Sequence, residues 1–236
     1  MTEEDFNKKL FRPEMGLYFT PAFVLDTFEY YINSFGLDSV LKHRNTKKLK
    51  EMWAGATFLL GYQKMTSTEQ YIAPCFDTTP DVVYGMYIES SKIKDSHDFA
   101  LLNIEITEWE SRTSQDLLTR IQDKLKDKLY PNDYVLLLHI TRIGDLNVNM
   151  DKIYDDLKIC KLNLQGIWIL VGNSRPDVED NYTCFCVYPS KGKIDFSLSE
   201  YKKIDSKRFP QMVQTHIKRR VTDMKIESIK MELPKL

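Results

Sequence analysis

Two acids and a nearby group of lysines are the residues of this sequence whose types and spacing could do chemistry. Asp81 follows a Thr-Pro turn, Glu105 lies within an apolar segment, and a Lys-rich segment containing Lys124 and Lys128 comes next. Two carboxylates that lie close together repel each other, so such a pair either binds Mg²⁺ or Mn²⁺ or has one raised pKa. With a lysine to stabilise developing negative charge, the set is typical of metal-dependent phosphodiester cleavage.

Alternating periodicity places the two acids on neighbouring strands. We predict three strands in an antiparallel meander, at Tyr71–Phe76, Val82–Glu89 and Phe99–Thr107. Successive side chains alternate between the two faces of a strand, so the position of each acid fixes the face on which it lies. We therefore expect Asp81 and Glu105 near strand ends, side by side on one face of the sheet.

The Lys-rich segment is predicted to form an amphipathic helix from about Thr113 to Leu129. Its apolar stripe consists of residues at helical spacing: Leu117, Leu118, Ile121, Leu125 and Leu129. At about 100° per residue, Lys124 and Lys128 lie on one flank of this stripe, whereas Lys126 points away. Spacing does not choose between Lys124 and Lys128, and a solvated helix face is the alternative interpretation for both.

The remaining pattern predicts an α/β (α+β) fold class, in which an N-terminal helical lobe lies on a mixed central sheet flanked by helices. The first helix begins at the Thr20-Pro21 cap and ends at Gly36, and others begin near Leu37 and Thr46, the last running to Gly61. Later elements follow in chain order: strand Tyr134–Thr141, helix Met150–Leu162, strand Ile167–Val171, hairpin Tyr182–Tyr188 with Ile194–Leu198, and a last helix from Pro210 to the Arg219-Arg220 pair. We expect a single domain with a helical lobe (1–66), a mixed-sheet core (67–200) and a basic C-terminal segment (201–236).

Composition and charge limit the class of protein. A chain of 236 residues that is 42% apolar can bury a substantial core. Residues 201–236 contain ten Lys or Arg and four Asp or Glu, which gives a net charge of +6 and leaves −7 on the rest of the chain. An acidic body argues against broad non-specific nucleic-acid binding, but it suits a pocket that collects divalent cations.

Cysteine spacing and hydropathy bear on the compartment. The four cysteines show no zinc-type Cys-x-x-Cys pairing, which favours free thiols in a reducing environment. The N-terminus is acidic and polar, and no apolar run approaches the roughly 18 residues of a membrane-spanning helix. We therefore predict a cytoplasmic protein with no membrane segment.

Several short segments carry a family resemblance. They are Thr79-Pro80-Asp81-Val82-Val83, Leu102-Asn103-Ile104-Glu105-Ile106-Thr107, Lys124 at nineteen residues after the glutamate, Leu41-Lys42-His43, and the stretch from Val135 through Gly144 and Asn147 to Met150. Together they resemble the cap-snatching endonuclease at the N-terminus of bunyavirus L proteins, of the phenuivirus type. The resemblance covers roughly residues 40 to 165. It implies the PD-(D/E)xK restriction-endonuclease-like fold, with the catalytic lysine on a helix and a threonine at its usual place on the strand.

The resemblance also implies a ligand set. His43, Asp81 and Glu105 would hold one Mn²⁺ (or Mg²⁺), and the backbone carbonyl of Ile106 would complete its shell. A second ion would share Asp81 with a further acid, for which Glu51 and Asp77 are the candidates. Histidine ligation favours Mn²⁺ over Mg²⁺ because imidazole suits the softer ion. Taken by itself, a histidine between Lys42 and Arg44 is typical of an exposed surface.

The function implied by the resemblance is an RNA endonuclease that cleaves host capped mRNA to make primers for viral transcription. The chain would be the N-terminal domain of a viral RNA-dependent RNA polymerase in the host cytoplasm, and its partners would be RNA and the remainder of that polymerase. Two alternatives remain open at this point. One is a cellular or phage DNA nuclease of the same fold, and the other is an inactive member that serves as a binding module, with both acids satisfied by hydrogen bonds.

Overall fold

The computed structural model describes residues 17–75, 80–89, 97–110, 116–127, 130–142, 148–172, 181–199 and 212–214. The helices are α1 (Pro21–Phe35), α2 (Leu37–Lys42), α3 (Lys47–Thr66), α4 (Leu117–Asp127) and α5 (Met150–Lys158), with a 3₁₀ turn at Arg44–Thr46. The strands are β1 (Leu17–Phe19), β2 (Tyr71–Pro74), β3 (Val82–Glu89), β4 (His97–Glu110), β5 (Tyr134–Arg142), β6 (Gly166–Gly172), β7 (Asn181–Tyr188), β8 (Gly192–Ser197) and β9 (Met212–Gln214). In this part of the chain, no helix is long and apolar enough to cross a membrane.

The strands form one mixed sheet in the order β8-β7-β6-β5-β4-β3-β2-β1-β9. The meander β2-β3-β4 is antiparallel, whereas β4, β5 and β6 run parallel to one another. Parallel neighbours need a crossover connection, and α4 and α5 follow β4 and β5 in the chain for this reason. Strands β5 and β6 read as continuous apolar runs because helices cover both of their faces. The predicted mixed α/β class is therefore confirmed.

Helix α3 and the pair α4 and α5 cover opposite faces of the sheet. The α3 face contains Met52 and Ala56 packed with Ile104 and Leu137. Alternation along the strands then gives the other face to residues such as Leu136 and Ile169, which pack with Ile121 of α4 and Leu157 of α5. A Cβ at Gly55 would lie 2.7 Å from Ile72 Cδ1, so a glycine in the middle of α3 permits the close approach of this helix to the sheet.

The first helix begins and ends where its sequence signals place it. The Thr20 hydroxyl accepts a hydrogen bond from the Phe23 N–H at 3.3 Å, and Pro21 is the first helical residue. The chain leaves the helix at Gly36, which has φ +83°. Helix α3, in contrast, continues past Gly61 to Thr66. Gly61 lies against the ring of Phe196, where a Cβ would be 2.5 Å away, so this glycine serves packing and does not end the helix.

The predicted last helix and the predicted end of α5 also differ from the structure. The prediction of a last helix from Pro210 is wrong at Met212–Gln214, because these residues form β9 and pair with β1 in an antiparallel ladder. A partner about two hundred residues away in sequence has overridden the local helical pattern. Helix α5 ends at Lys158, short of the predicted Leu162. The Arg219-Arg220 pair lies outside the described residues.

Candidate functional site

The pairing of β3 with β4 brings Asp81, which precedes β3, next to the part of β4 that carries Glu105. The β3-β4 ladder pairs Val82 with Ile104, and the Asp81 N–H donates to the Ile104 carbonyl at 3.1 Å. Glu105 is the next residue of β4 after Ile104, so Asp81 is bonded to the backbone immediately beside this acid. The paired residues Val83 and Asn103 lie on the same face of the sheet as Glu105. The structure therefore brings the two predicted acids together.

The carboxylate of Asp81 is fixed to the backbone of β4. Its Oδ2 accepts a hydrogen bond from the Ile106 N–H at 2.7 Å. Strand β3 begins only at Val82, so the Asp81 side chain replaces a backbone acceptor at this point of the ladder. A residue of an antiparallel ladder directs its N–H and C=O toward the same neighbour. The Ile106 carbonyl, an implied metal ligand, therefore faces the same side of β4 as the Asp81 carboxylate.

Helix α4 brings a lysine to the second acid. The Nζ of Lys124 lies 3.8 Å from Oε1 of Glu105, whose side chain is 5% exposed. A buried carboxylate is stabilised by a nearby cation, because burial alone disfavours its charge. Lys126 points away as predicted, is 73% exposed and pairs with Asp123. Lys128, the other predicted candidate, lies outside the described residues.

Helix α4 also carries a cation that the sequence interpretation missed. The guanidinium Nη2 of Arg120 donates to the hydroxyl of Thr107 at 3.3 Å. Arg120 precedes Lys124 by four residues and so occupies the same flank of the helix, which is the signal that could have revealed it. Because Thr107 shares its face with Glu105, both cations of this flank approach the face of β4 that carries Glu105.

The N-terminus of α3 contributes a third acid and a second lysine. The Nζ of Lys48 lies 2.8 Å from Oε2 of Glu51 and 4.0 Å from Oδ1 of Asp81, and it donates to the Asp81 backbone carbonyl at 3.4 Å. Lys47 lies 3.4 Å from the other oxygen of Glu51. Burial raises the pKa of the Glu51 carboxyl, the hydrogen bond from Lys48 opposes this shift, and the Asp81 carboxylate adds to it.

Of the two candidates for the extra acid, Glu51 thus lies near Asp81, whereas Asp77 is outside the described residues. Lys48 was missed by the sequence interpretation. Its position three residues before Glu51, on the same face of α3, is the available signal.

His43 caps a turn in this structure. It ends α2, and its ring Nδ1 accepts a hydrogen bond from the Asn45 N–H at 3.2 Å. An accepting Nδ1 leaves the proton of a neutral imidazole on Nε2, which is buried. Binding a metal through Nε2 would require the proton to move to Nδ1 and the hydrogen bond to Asn45 to break. The ligand role of His43 stays a prediction, and its observed role is that of a cap.

A second polar pair lies beside Glu105 on the same face. The Asn103 side-chain amide donates to Asp133 Oδ2 at 3.0 Å, and burial raises the pKa of the Asp133 carboxyl. Burial together with the carboxylates of Asp133 and Glu105 raises the pKa of Tyr134 to about 12. Asn103 and Asp133 therefore form a polar contact next to Glu105 along this face of β4.

The donor set suits a hard divalent cation in its chemistry, since carboxylate and carbonyl oxygens are the ligands that such ions prefer. Across the described residues, no group of three or more His, Cys, Asp or Glu side chains is arranged to hold a metal ion. Lysine ammonium groups instead lie against the acids, as Lys48 and Lys124 show. Comparisons with protein-family models, curated proteins and solved structures find no match to this chain.

Proposed function

We propose that the chain is a divalent-metal-dependent RNA endonuclease with a PD-(D/E)xK core. In this proposal it cleaves host capped mRNA to prime viral transcription and forms the N-terminal domain of a viral polymerase. The observation that supports the nuclease activity is the Lys124 ammonium 3.8 Å from Glu105, with the Asp81 carboxylate bonded to the next residue of the same strand, Ile106. The cap-snatching role draws its support from the resemblance of the short segments around these residues.

Each residue of the proposed site has a role. Asp81, Glu105 and the Ile106 carbonyl would hold Mn²⁺ or Mg²⁺, with Glu51 as the acid available to a second ion and His43 as a further candidate ligand. The bound ions would orient the attacking water and offset charge on the scissile phosphate.

The cations of α4 complete the proposed site. Lys124 would stabilise the negative charge that develops on the phosphate and the leaving oxygen. Arg120, with its planar fork of donors, is suited to hold a neighbouring phosphate of the strand.

Cleavage assays with matched lysine variants test this proposal. Purified protein with Mn²⁺ is expected to cut labelled single-stranded RNA and to prefer it over duplex RNA and DNA. Lys124→Ala should lower the rate by about 100-fold, the scale for loss of one group that stabilises transition-state charge. Lys126→Ala, on the same helix but pointing away, is the control and should retain the wild-type rate. A preference for DNA would favour the cellular or phage nuclease instead.

A binding module without catalytic activity is the second candidate, and one observation favours it. Groups of the protein itself engage two of the acids, since Asp81 accepts from Ile106 and Glu51 pairs with two lysines. A thermal-shift titration with Mn²⁺ separates the two functions, because a ligand that binds the folded state stabilises it by mass action. The nuclease should gain stability with Mn²⁺ and lose that gain in Asp81→Ala. An inactive module would show neither effect and would cut no RNA.

A further inference from the structure

We propose that Lys48 is the built-in counter-cation of this site, with an ammonium group that lies between Glu51 and Asp81 and must withdraw when a divalent cation binds. The inference rests on the proposed function only in taking a divalent cation as the ligand. It adds a residue that sets the affinity of the site for the ion.

The contacts of Lys48 show why it and a metal exclude each other. Its Nζ is 2.8 Å from one oxygen of Glu51 and 4.0 Å from one oxygen of Asp81, so it lies between the two acids. An ion bound to these oxygens would sit at roughly 2.0 to 2.6 Å from each of them. A second positive charge in the same space is excluded by size and by repulsion, which is strong where charges are shielded from water.

Lys47 provides the contrast within the same helix turn. It lies 3.4 Å from the other oxygen of Glu51, but its side chain is 74% exposed, against 24% for Lys48. Solvent screens an exposed pair, so Lys47 should couple weakly to events at the carboxylates. Lys48 also donates to the backbone carbonyl of Asp81 at 3.4 Å, which holds its ammonium between the acids.

The position of Lys48 on α3 allows it to withdraw. Lys47 and Lys48 are the first residues of the helix, and its first turn contains no acidic residue. A cation at a helix N-terminus is disfavoured by the helix dipole, so the acids, and not the helix, hold Lys48 in place. A lysine side chain has a flexible four-carbon stem, and its ammonium can turn toward solvent without displacing the helix.

Mn²⁺ binding to Lys48 variants tests the inference. Wild type, Lys48→Met and the control Lys47→Met are titrated with MnCl₂ alone, by calorimetry and by thermal shift, after treatment with EDTA. Lys48→Met should bind Mn²⁺ roughly tenfold more tightly than wild type, within the usual range of coupling between two sites. It should also show a lower Tm in EDTA and a larger gain in Tm with Mn²⁺. Lys47→Met should stay within about twofold of wild type.

Conservative variants keep the test decisive if Lys48→Met folds poorly. Lys48→Gln removes the charge but retains a polar side chain, and it should also bind Mn²⁺ more tightly. Lys48→Arg keeps the charge and should behave as wild type. Equal or weaker Mn²⁺ binding by the folded neutral variants would overturn the inference, and so would a lack of Mn²⁺ binding by wild type and variants alike.

The two proposals fail in different ways. Tighter Mn²⁺ binding by Lys48→Met in a protein that cuts no RNA would support the counter-cation and contradict the nuclease. Cleavage of RNA by wild type, combined with unchanged Mn²⁺ affinity in Lys48→Met, would support the nuclease and overturn the counter-cation.

Discussion

The carboxylate of Asp81 accepts a hydrogen bond from the backbone N–H of Ile106 at 2.7 Å, which ties the acid that precedes β3 to the strand that carries Glu105. The contact fixes the Asp81 side chain across the end of the β3-β4 ladder. It also places one oxygen of Asp81 near the Lys48 ammonium, at 4.0 Å, while the other is held by β4. Asp81 is thus both a structural acceptor and the residue on which the proposed ions depend.

The first prediction separates these two roles of Asp81. Asp81→Ala leaves the Ile106 N–H without its acceptor and should lower the free energy of unfolding by about 1.5 to 3 kcal/mol, the range for a hydrogen bond to a charged group. Asp81→Asn retains an acceptor oxygen and should lose roughly half as much. Urea denaturation in EDTA measures both variants. Equal losses in the two would mean that the hydrogen bond contributes little to stability.

The second prediction concerns the charge pair of Lys124 and Glu105. Because Glu105 is buried while Lys124 is about a quarter exposed, Lys124→Met should cost about 1 kcal/mol of unfolding free energy in the absence of metal. Lys126→Met removes an exposed charge from the same helix and should cost less than about 0.5 kcal/mol. Denaturant titrations compare the two. A larger loss in the Lys126 variant would contradict the assigned geometry.

The third prediction concerns pH and a histidine outside the proposed site. His139 is buried beside Trp53, and burial lowers its pKa from 6.5 to about 4. Between these two values the unfolded chain binds more protons than the folded one, so stability falls as pH falls through this window. Wild type should lose about 2 kcal/mol between pH 6.5 and pH 5 from this group.

His139→Gln, which does not titrate, isolates that contribution. The variant should show a flatter profile of unfolding free energy between pH 7.5 and pH 5 than wild type, even if it is less stable at every pH. Parallel profiles for the two proteins would show that His139 does not stay neutral in the folded state.

How much of this site could be predicted from the sequence depends on whether each interaction joins residues that are near or far apart in the chain. The placement of Asp81 and Glu105 at neighbouring strands was predictable because local alternation marks two consecutive strands of a meander. Helical periodicity placed Lys124 and Lys128 together on one flank of the apolar stripe, but it did not choose between them. Each of these inferences uses only the residues of one element and its immediate neighbour.

The missed features depend on contacts between distant segments. Lys48 reaches Asp81 across 33 residues, and the contact depends on how α3 packs against the sheet, which no local pattern encodes. Strand β9 forms because β1 offers it backbone partners, while the local sequence of Met212–Gln214 shows no alternation long enough to indicate a strand. The cap formed by His43 is a local feature, since its Nδ1 accepts from the N–H of Asn45 two residues later. The flanking Lys42 and Arg44 suggested a surface histidine and gave no sign of this cap.

The last prediction concerns Arg120 and rests on the proposed nuclease function. The Arg120 guanidinium contacts Thr107 and lies one turn before Lys124, where it can form a charge-assisted contact with a phosphate of bound RNA. Arg120→Ala should weaken binding of single-stranded RNA roughly tenfold, which corresponds to about 1.4 kcal/mol. Binding is measured by fluorescence anisotropy with Ca²⁺ in place of Mn²⁺, under conditions in which the RNA stays uncut. Arg120→Lys should recover part of the affinity, because it keeps the charge but not the planar fork of donors. Lys126→Ala is the matched control, and an equal loss in that variant would indicate a general charge effect and not a specific contact at Arg120.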